Sequence, residues 1–521
     1  MCVTPVARRL NLTWHRLRPI VGDGMTATPE TKRTGRMGLG PMAASGVGFF
    51  ALCVAWMSVL PLFAGPDEPA NFIKSAAVVR GEWVGEPIAA SATTSFWSTY
   101  VDIDPQFGTA QQVPWCFVGQ RDVPACDKPL TGLSPVEDSR TDMGRYPPLG
   151  FLPAGVGTLV GASDLGVRAA RATAAVVSCA LLALAADLLR RRGRSITPLL
   201  VAVSPGVLFL ASVQSPSGFE VAAAIAAWVA VWIAVAEQWR VNSTIAMFVV
   251  AACLLVVARP AGLVTVGVML AAALVANDRD VVAGALASWR RCVWLGVAVV
   301  ASGAWYLGVY DANFGVQLDI ESRVSKFSTI ASRSIVDLPR LVGESVGNFG
   351  WLDTPSPTFV VWGFVAATAA ITWAVVGASM IRVKLAIALT IVAVPVWHIA
   401  LNVNYQDLLG SYGAQGRHLT PFLVGIPLAA TMHRNMQRAD RVAVTLFVIA
   451  HAWCVLVALR RYSLGAGGDD LLGFVREPAW SPPLGMGLTL VVVAVAHVAA
   501  WFALSSPAGG FRRSPAGRIE R

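Results

Sequence analysis

A chain of 521 residues that is 55% hydrophobic and 14% charged, with a mean hydropathy of +0.59, is far poorer in charge than a soluble domain, which carries about 25%. This excludes an ordinary water-soluble enzyme and points to one large membrane-embedded unit with polar loops. Lys and Arg (41) exceed Asp and Glu (31), an excess that is informative only through where it lies.

A hydrocarbon core of about 30 Å takes roughly 20 apolar residues as helix, and lipid does not tolerate unpaired backbone, so apolar runs read as helices. A basic tail, 1–42, precedes the first run, 43–64, which reads as a signal anchor and not as a cleavable signal peptide. A long polar segment, 65–166, follows. Further spans are predicted at 167–189, 196–213, 218–236, 242–258, 261–276, 292–310, 356–380, 384–402, 418–432, 441–459 and 485–504, before a second basic tail, 505–521. The expected fold is thus an all-α polytopic membrane protein of about 12 transmembrane helices, with 43–504 as its membrane module. The apolar run 146–162 is left out of this count. It opens on Tyr146-Pro147-Pro148, and counting it would place Arg190-Arg191-Arg192-Gly193-Arg194 outside. It reads as an interfacial or partly re-entrant helix.

Charge supports this division. The tails and loops assigned to the cytoplasm hold 24 Lys/Arg and 8 Asp/Glu, whereas the other side holds 17 and 23, as the positive-inside rule requires. The expected location is the plasma membrane, with both termini cytoplasmic. The basic face is then a topology signal and a contact for anionic lipid, with no role in nucleic-acid binding. Segments 65–166, 311–355 and 460–484 are too long for connectors and lie outside, so chemistry belongs on the extracytoplasmic face.

The sequence holds no His-Glu-x-x-His, Walker A, Gly-x-Ser-x-Gly or Cys-x-x-Cys pattern. Gly46-Val47-Gly48 lies inside the first span and reads as small-residue packing. The sharpest feature is Gly65-Pro66-Asp67-Glu68-Pro69 at the outer end of that span. Asp67 as a helix cap and Glu68 in the first turn is the simple reading. A general base or a metal site is the functional one. Gly144-Arg145-Tyr146-Pro147-Pro148 is either a helix start at the interface or a cation held at phosphate depth. Ser217-x-x-Glu220 reads first as a capping box, with Glu220 as a second catalytic carboxylate the alternative. Arg259 and Arg417-His418 stand at outer ends of apolar runs, where an arginine either snorkels or joins Arg145 in a phosphate clamp. Trp351, with Asp353 in the same turn, is an interface anchor or a sugar-stacking platform. His451 and His497 fall inside spans and read as structural. Cys116 and Cys126 share the first outer loop in an oxidising compartment and are the expected disulfide.

Taken in order, Pro66-Asp67-Glu68-Pro69, Arg145-Tyr146-Pro147-Pro148-Leu149, Ser215-Pro216-Ser217-Gly218, Gly350-Trp351-Leu352-Asp353-Thr354 and Gly416-Arg417-His418-Leu419 resemble the C-type glycosyltransferase (GT-C) superfamily. They look most like a bacterial, largely actinobacterial, multi-pass membrane family of unknown function assigned to it. The resemblance spans about residues 45–430. It implies a large first outer loop with juxtamembrane helices and a lipid-phosphate-linked sugar donor. Asp67 and Glu68 match the acidic motif, as base or as ligands of a divalent cation (Mg or Mn). Arg145 stands where related aminoarabinose transferases carry a phosphate-binding Lys. The motif often has a His three residues on, whereas this chain has Asn71.

The expected function is a membrane glycosyltransferase that moves a sugar from a polyprenyl phosphate to a glycan, lipid or protein acceptor in the cell envelope. Asp67, Glu68 and Glu220 are its catalytic candidates. Arg145, Tyr146, Arg259, Trp351, Asp353, Arg417 and His418 are its substrate-binding candidates. The alternative is a non-catalytic flippase or exporter of lipid-linked glycans. That protein would have no use for paired acids on one loop.

Overall fold

The computed structural model describes residues 40–88, 98–287, 289–310, 327–409, 412–433, 439–467 and 473–506. The expected tails lie almost wholly outside these residues, as do 311–326 of the second long loop and 468–472 of the third.

From the first described residues, α1 (Pro41–Val59) leads through a tight connection into α2 (Glu68–Val79). The long segment that follows carries a 3-10 helix at Pro105–Cys116 and a short three-stranded antiparallel sheet of β1 (Glu86–Pro87), β2 (Thr99–Val101) and β3 (Ser139–Thr141), with Tyr100 opposite Arg140. These short strands lie in the long polar segment, and the chain is otherwise mostly helical, as an all-α membrane protein requires. The run 146–162 yields only a 3-10 turn at Pro148–Gly150 and α3 (Leu152–Thr158). Seven residues of helix rise about 10 Å, too little to cross a bilayer.

Then come α4 (Asp164–Arg191), α5 (Thr197–Ala202), α6 (Pro205–Ser212), α7 (Pro216–Ala236), α8 (Asn242–Ala258), α9 (Ala261–Ala276), α10 (Arg279–Leu286) and α11 (Trp289–Trp305), the last extended by a π-helical turn to Tyr310. After these lie α12 (Phe327–Gly347), the hairpin of β4 (Asn348–Phe349) and β5 (Thr354–Pro355), α13 (Thr358–Ala378), α14 (Ile381–Leu409), α15 (Gly416–Leu423), α16 (Gly425–Leu428), α17 (Asp440–Leu464), α18 (Gly473–Arg476) and α19 (Gly485–Ser505).

Among the described residues, seven helices (α1, α4, α7, α13, α14, α17 and α19) are long and apolar enough to cross a membrane, and Asn242–Ala258, Ala261–Ala276 and Val293–Val309 are shorter apolar helices. Two expected spans are broken. The run 196–213 splits at Val203-Ser204, because Pro205 has no N–H to continue the ladder. The run 418–432 contains Pro421 and Pro427 and divides into α15, α16 and a 3-10 turn. Its carbonyls are satisfied by the central helix α7: stacked Trp228 and Trp232 donate their indole N–H groups to Pro421 O and Gly425 O, each at 2.9 Å. Such rescue by neighbouring side chains is how broken helices persist in an apolar bundle.

The glycines of α1 serve packing: a Cβ on Gly48 would come within 2.9 Å of Leu504 on α19, so the two helices approach closely there. One end of the bundle is knit by the basic run after α4. Arg190 donates to Pro41 O, Ser45 Oγ and Leu504 O, Arg192 pairs with Glu237, and Arg194 donates to Met432 O. The other end carries Asp67.

Candidate functional site

The chain leaves α1 at Pro61 and turns into α2 through two non-glycine residues with left-handed backbone, Phe63 and Asp67, both at φ 57°. Such residues are uncommon and cost roughly 1–2 kcal/mol each. Asp67 occupies the N-cap of α2, yet its side chain makes no cap hydrogen bond. Its Oδ2 instead accepts from an Nη of Arg417 at 2.6 Å, with 37% of the Asp67 side chain and 11% of the Arg417 side chain exposed. The helix therefore presents the carboxylate to a cation 350 residues away in sequence.

Glu68 turns the opposite way. It is fully buried and pairs with Arg171 of α4 through two bonds of 2.6 and 2.8 Å. It also accepts from Gly65 N at 2.8 Å and Gln214 N at 3.1 Å. Every Glu68 oxygen thus receives two donors, none of them from a cavity. Through these bonds Glu68 pins the Asp67 turn to α4 and to the start of α7. In this geometry Asp67 and Glu68 point apart, and all four Glu68 acceptor positions are taken by protein donors. Among the described residues, no group of three or more His, Cys, Asp or Glu could hold a metal ion.

A cavity of about 550 Å³ is lined by Tyr146, Glu220, Arg259, Tyr405 and His418, the last adjacent in sequence to Arg417. Its remaining walls are largely apolar, with Leu263, Val264 and Leu307 among them. Arg259 donates to Ser217 Oγ at 2.8 Å and to Glu220 at 3.3 Å, and its guanidinium lies 5.5 Å over the Tyr146 ring. The expected capping box is therefore not formed. The N-cap of α7 is Ser215, which accepts from Ser217 N, because Pro216 takes the first helical position. Ser217 and Glu220 are left to hold Arg259. His418 closes a different box: its Nδ1 accepts from Gln415 N at 3.2 Å, and its ring stacks on Tyr405. Arg417 is not a lining residue, but it lies within electrostatic reach of Glu220, Tyr405 and His418. Asp67 likewise acts on Tyr405. The Asp67–Arg417 pair thus stands outside the cavity lining, next to it in sequence through His418, and Arg417 lines a separate small pocket with Pro66, Glu344 and Asn348.

Three expected binding residues lie elsewhere. Arg145 is buried and does not line the cavity, while its carbonyl accepts from Trp305 Nε1 at 2.9 Å. Its neighbour Tyr146 does line it. Trp351 does not line this cavity, and its indole N–H donates to Phe63 O at 3.0 Å. Asp353 pairs with buried Arg461 at 2.7 Å and does not line this cavity. In these two cases a turn with an aromatic and an acid looked like a ligand site, whereas its partners are protein groups far along the chain.

Sequence reasoning missed Arg171, Tyr405 and Lys74. The last sits on α2, and its ammonium donates to the carbonyls of Trp83 and Gly144, fixing the segment that carries Tyr146. Burial pushes the Lys74 ammonium down to about 7. Only its place seven residues after Asp67, on a helix expected at the surface, hinted at this. Cys116 and Cys126 are disulfide-bonded, with Cα atoms 6.4 Å apart.

The chain belongs to the membrane-protein family DUF2142, described as a predicted membrane protein, whose family model matches residues 50–426. No curated protein and no solved structure matches the chain.

Proposed function

We propose that this protein is an integral-membrane glycosyltransferase that transfers a sugar from a polyprenyl phosphate to an acceptor in the cell envelope. The observation that carries the reading is the Asp67 carboxylate. It is held in a left-handed N-cap without capping its helix and is aimed at Arg417, whose neighbour His418 lines a cavity that holds a second Arg–carboxylate pair. Strained backbone around an acid beside an amphipathic cavity is where catalytic function concentrates.

In this reading the bundle has a GT-C-like fold with twelve crossings, the two broken segments being crossings also. Both termini are cytoplasmic, the Arg190 end faces the cytoplasm, and Asp67 faces the envelope. Asp67 takes the proton from an acceptor hydroxyl. The freed oxygen attacks the anomeric carbon of the donor while the bond from that carbon to the phosphate oxygen breaks. Polyprenyl phosphate leaves with both electrons of that bond. Arg259, preorganised by Ser217 and Glu220, meets the charge on the phosphate, and the apolar walls receive the first isoprene units. Arg417 orients the base. Tyr146 and Tyr405 supply the ring faces for the sugar, in the place expected for Trp351. Because one displacement carries the reaction, the sugar is inverted. The activated donor brings its own leaving group, so no nucleotide is needed on that face.

The test is reconstitution in liposomes with radiolabelled polyprenyl-phosphate sugars and an envelope extract as acceptor. Release of carrier phosphate coupled to labelled product supports transfer. Movement of intact donor between leaflets without release would establish a flippase instead.

A further inference from the structure

The loop that carries Asp67 is strained at Phe63 and Asp67, and such backbone persists only where its surroundings over-determine it. Three contacts hold the approach to Asp67. Arg171 donates to Pro61 O at 2.8 Å, Trp351 Nε1 to Phe63 O at 3.0 Å, and the Tyr462 hydroxyl to Ala64 O at 3.2 Å. The last two come from one assembly. Trp351 sits in the β4–β5 turn, whose Gly350 has φ 65° and no room for a side chain, since a Cβ there would lie 2.3 Å from Asp353 Oδ1. Asp353 binds Arg461, the neighbour of Tyr462 on α17. The Arg461 guanidinium is then enclosed by carbonyls of the disulfide-closed loop 116–126: Val123 O at 2.7 Å, Gln120 O at 3.2 Å and Phe117 O at 3.5 Å. Ala125 N closes the contact by donating to Tyr462 O at 2.8 Å.

We propose that Trp351 and Tyr462 are positioning residues for Asp67, and that the Cys116–Cys126 loop, through Arg461 and Asp353, locks the two of them in place. The clamp reaches Asp67 only through the backbone at Phe63 and Ala64, so it sets where the carboxylate stands without touching substrate. A guanidinium buried among carbonyls and one carboxylate tolerates little displacement of its cage, so the covalently closed loop transmits its rigidity to the Asp67 turn. The claim concerning rate rests on the proposed glycosyltransferase reading. The claim concerning geometry does not.

The experiment uses the full chain in membranes, with Tyr462→Phe, which removes only the hydroxyl donor, the double variant Trp351→Phe/Tyr462→Phe, which removes both donors and part of the indole, and separately Cys116→Ser/Cys126→Ser. The first readout is independent of activity: the alkylation rate of Asp67→Cys, followed by peptide mass spectrometry, with and without the clamp substitutions. The second is transfer kinetics per folded molecule. The proposal expects a several-fold change in alkylation rate. It also expects a fall in kcat of roughly 10- to 100-fold, as for a misplaced catalytic group, with donor KM unchanged. Cys116→Ser/Cys126→Ser should show the same kcat defect at a temperature where it remains folded. Unchanged alkylation together with unchanged kcat, even if the thermal midpoint drops, overturns the proposal and leaves the assembly as scaffolding. If Asp67→Asn transfers at the wild-type rate, the catalytic reading falls, while the alkylation result still decides the positioning claim.

Discussion

Replacing Glu68 by Gln should damage the protein more than any change at Asp67 does. Each Glu68 oxygen accepts two donors: one from Arg171 Nε and Gln214 N at 2.6 and 3.1 Å, the other from an Arg171 Nη and Gly65 N at 2.8 Å each. A glutamine amide must place its NH2 on one side or the other, and either choice sets a donor against two donors. It also strips the counter-charge from Arg171, whose side chain is 1% exposed. Breaking a buried pair from one side costs about 3–5 kcal/mol, and that range applies here because neither partner reaches water. The measurement is SDS unfolding in mixed micelles, followed by tryptophan fluorescence, with Asp67→Asn as the exposed counterpart expected to lose less than about 1 kcal/mol. The double variant Glu68→Met/Arg171→Met should recover much of the loss, because no unpaired charge remains buried. Glu68→Gln unfolding at the wild-type midpoint would refute the assignment of Glu68 as a structural pin.

Three further outcomes follow from the geometry. Lys74 has its folded value near 7 against 10.5 for the free side chain, so between those values the unfolded chain holds a proton that the folded one lacks. Stability should therefore rise with pH across that window, by at most about 1.4 kcal/mol per pH unit, and be flat below it; Lys74→Met should abolish the slope in thermal midpoints taken from pH 6 to 9. Arg259 meets Ser217 and Glu220 through a single Nη, so Arg259→Lys keeps the charge but loses the planar guanidinium's further donors, and should raise donor KM roughly tenfold, the worth of one charge-assisted hydrogen bond; an unchanged KM would remove Arg259 from the phosphate site. A cysteine at position 192 should resist impermeant thiol reagents in intact cells, and rapid labelling would reverse the proposed orientation.

Composition and run length suffice to read a polytopic helical protein, since apolar runs of 15–25 residues have few other fates. Breaks are legible too where Pro205, Pro421 and Pro427 interrupt them, although their consequence, a carbonyl ladder satisfied by Trp228 and Trp232, is a tertiary matter. The site is legible only in its local parts. Asp67 and Glu68 are conspicuous between two prolines, but nothing local says that the first meets Arg417 and the second Arg171. Ser217 and Glu220 have capping-box spacing, and Pro216 shifts the cap to Ser215, freeing both for Arg259. Trp351 and Asp353 look like ligand groups because turns with an aromatic and an acid usually face solvent. Here α17 and the disulfide loop cover that turn. Buried ion pairs between distant helices are invisible to periodicity, which reports only which face of a helix is apolar.

The central claim, that Asp67 is the base of a sugar transfer, is tested most directly by Asp67→Asn in proteoliposomes loaded with labelled donor. Single-turnover transfer and donor binding should be measured on the same preparation. The account predicts a loss of about 10²–10⁴ in transfer rate, the usual contribution of a general base, with expression, thermal midpoint and donor binding close to wild type. Wild-type transfer by Asp67→Asn, alongside a merely destabilised Asp67→Ala, would make Asp67 a structural residue and contradict the mechanism.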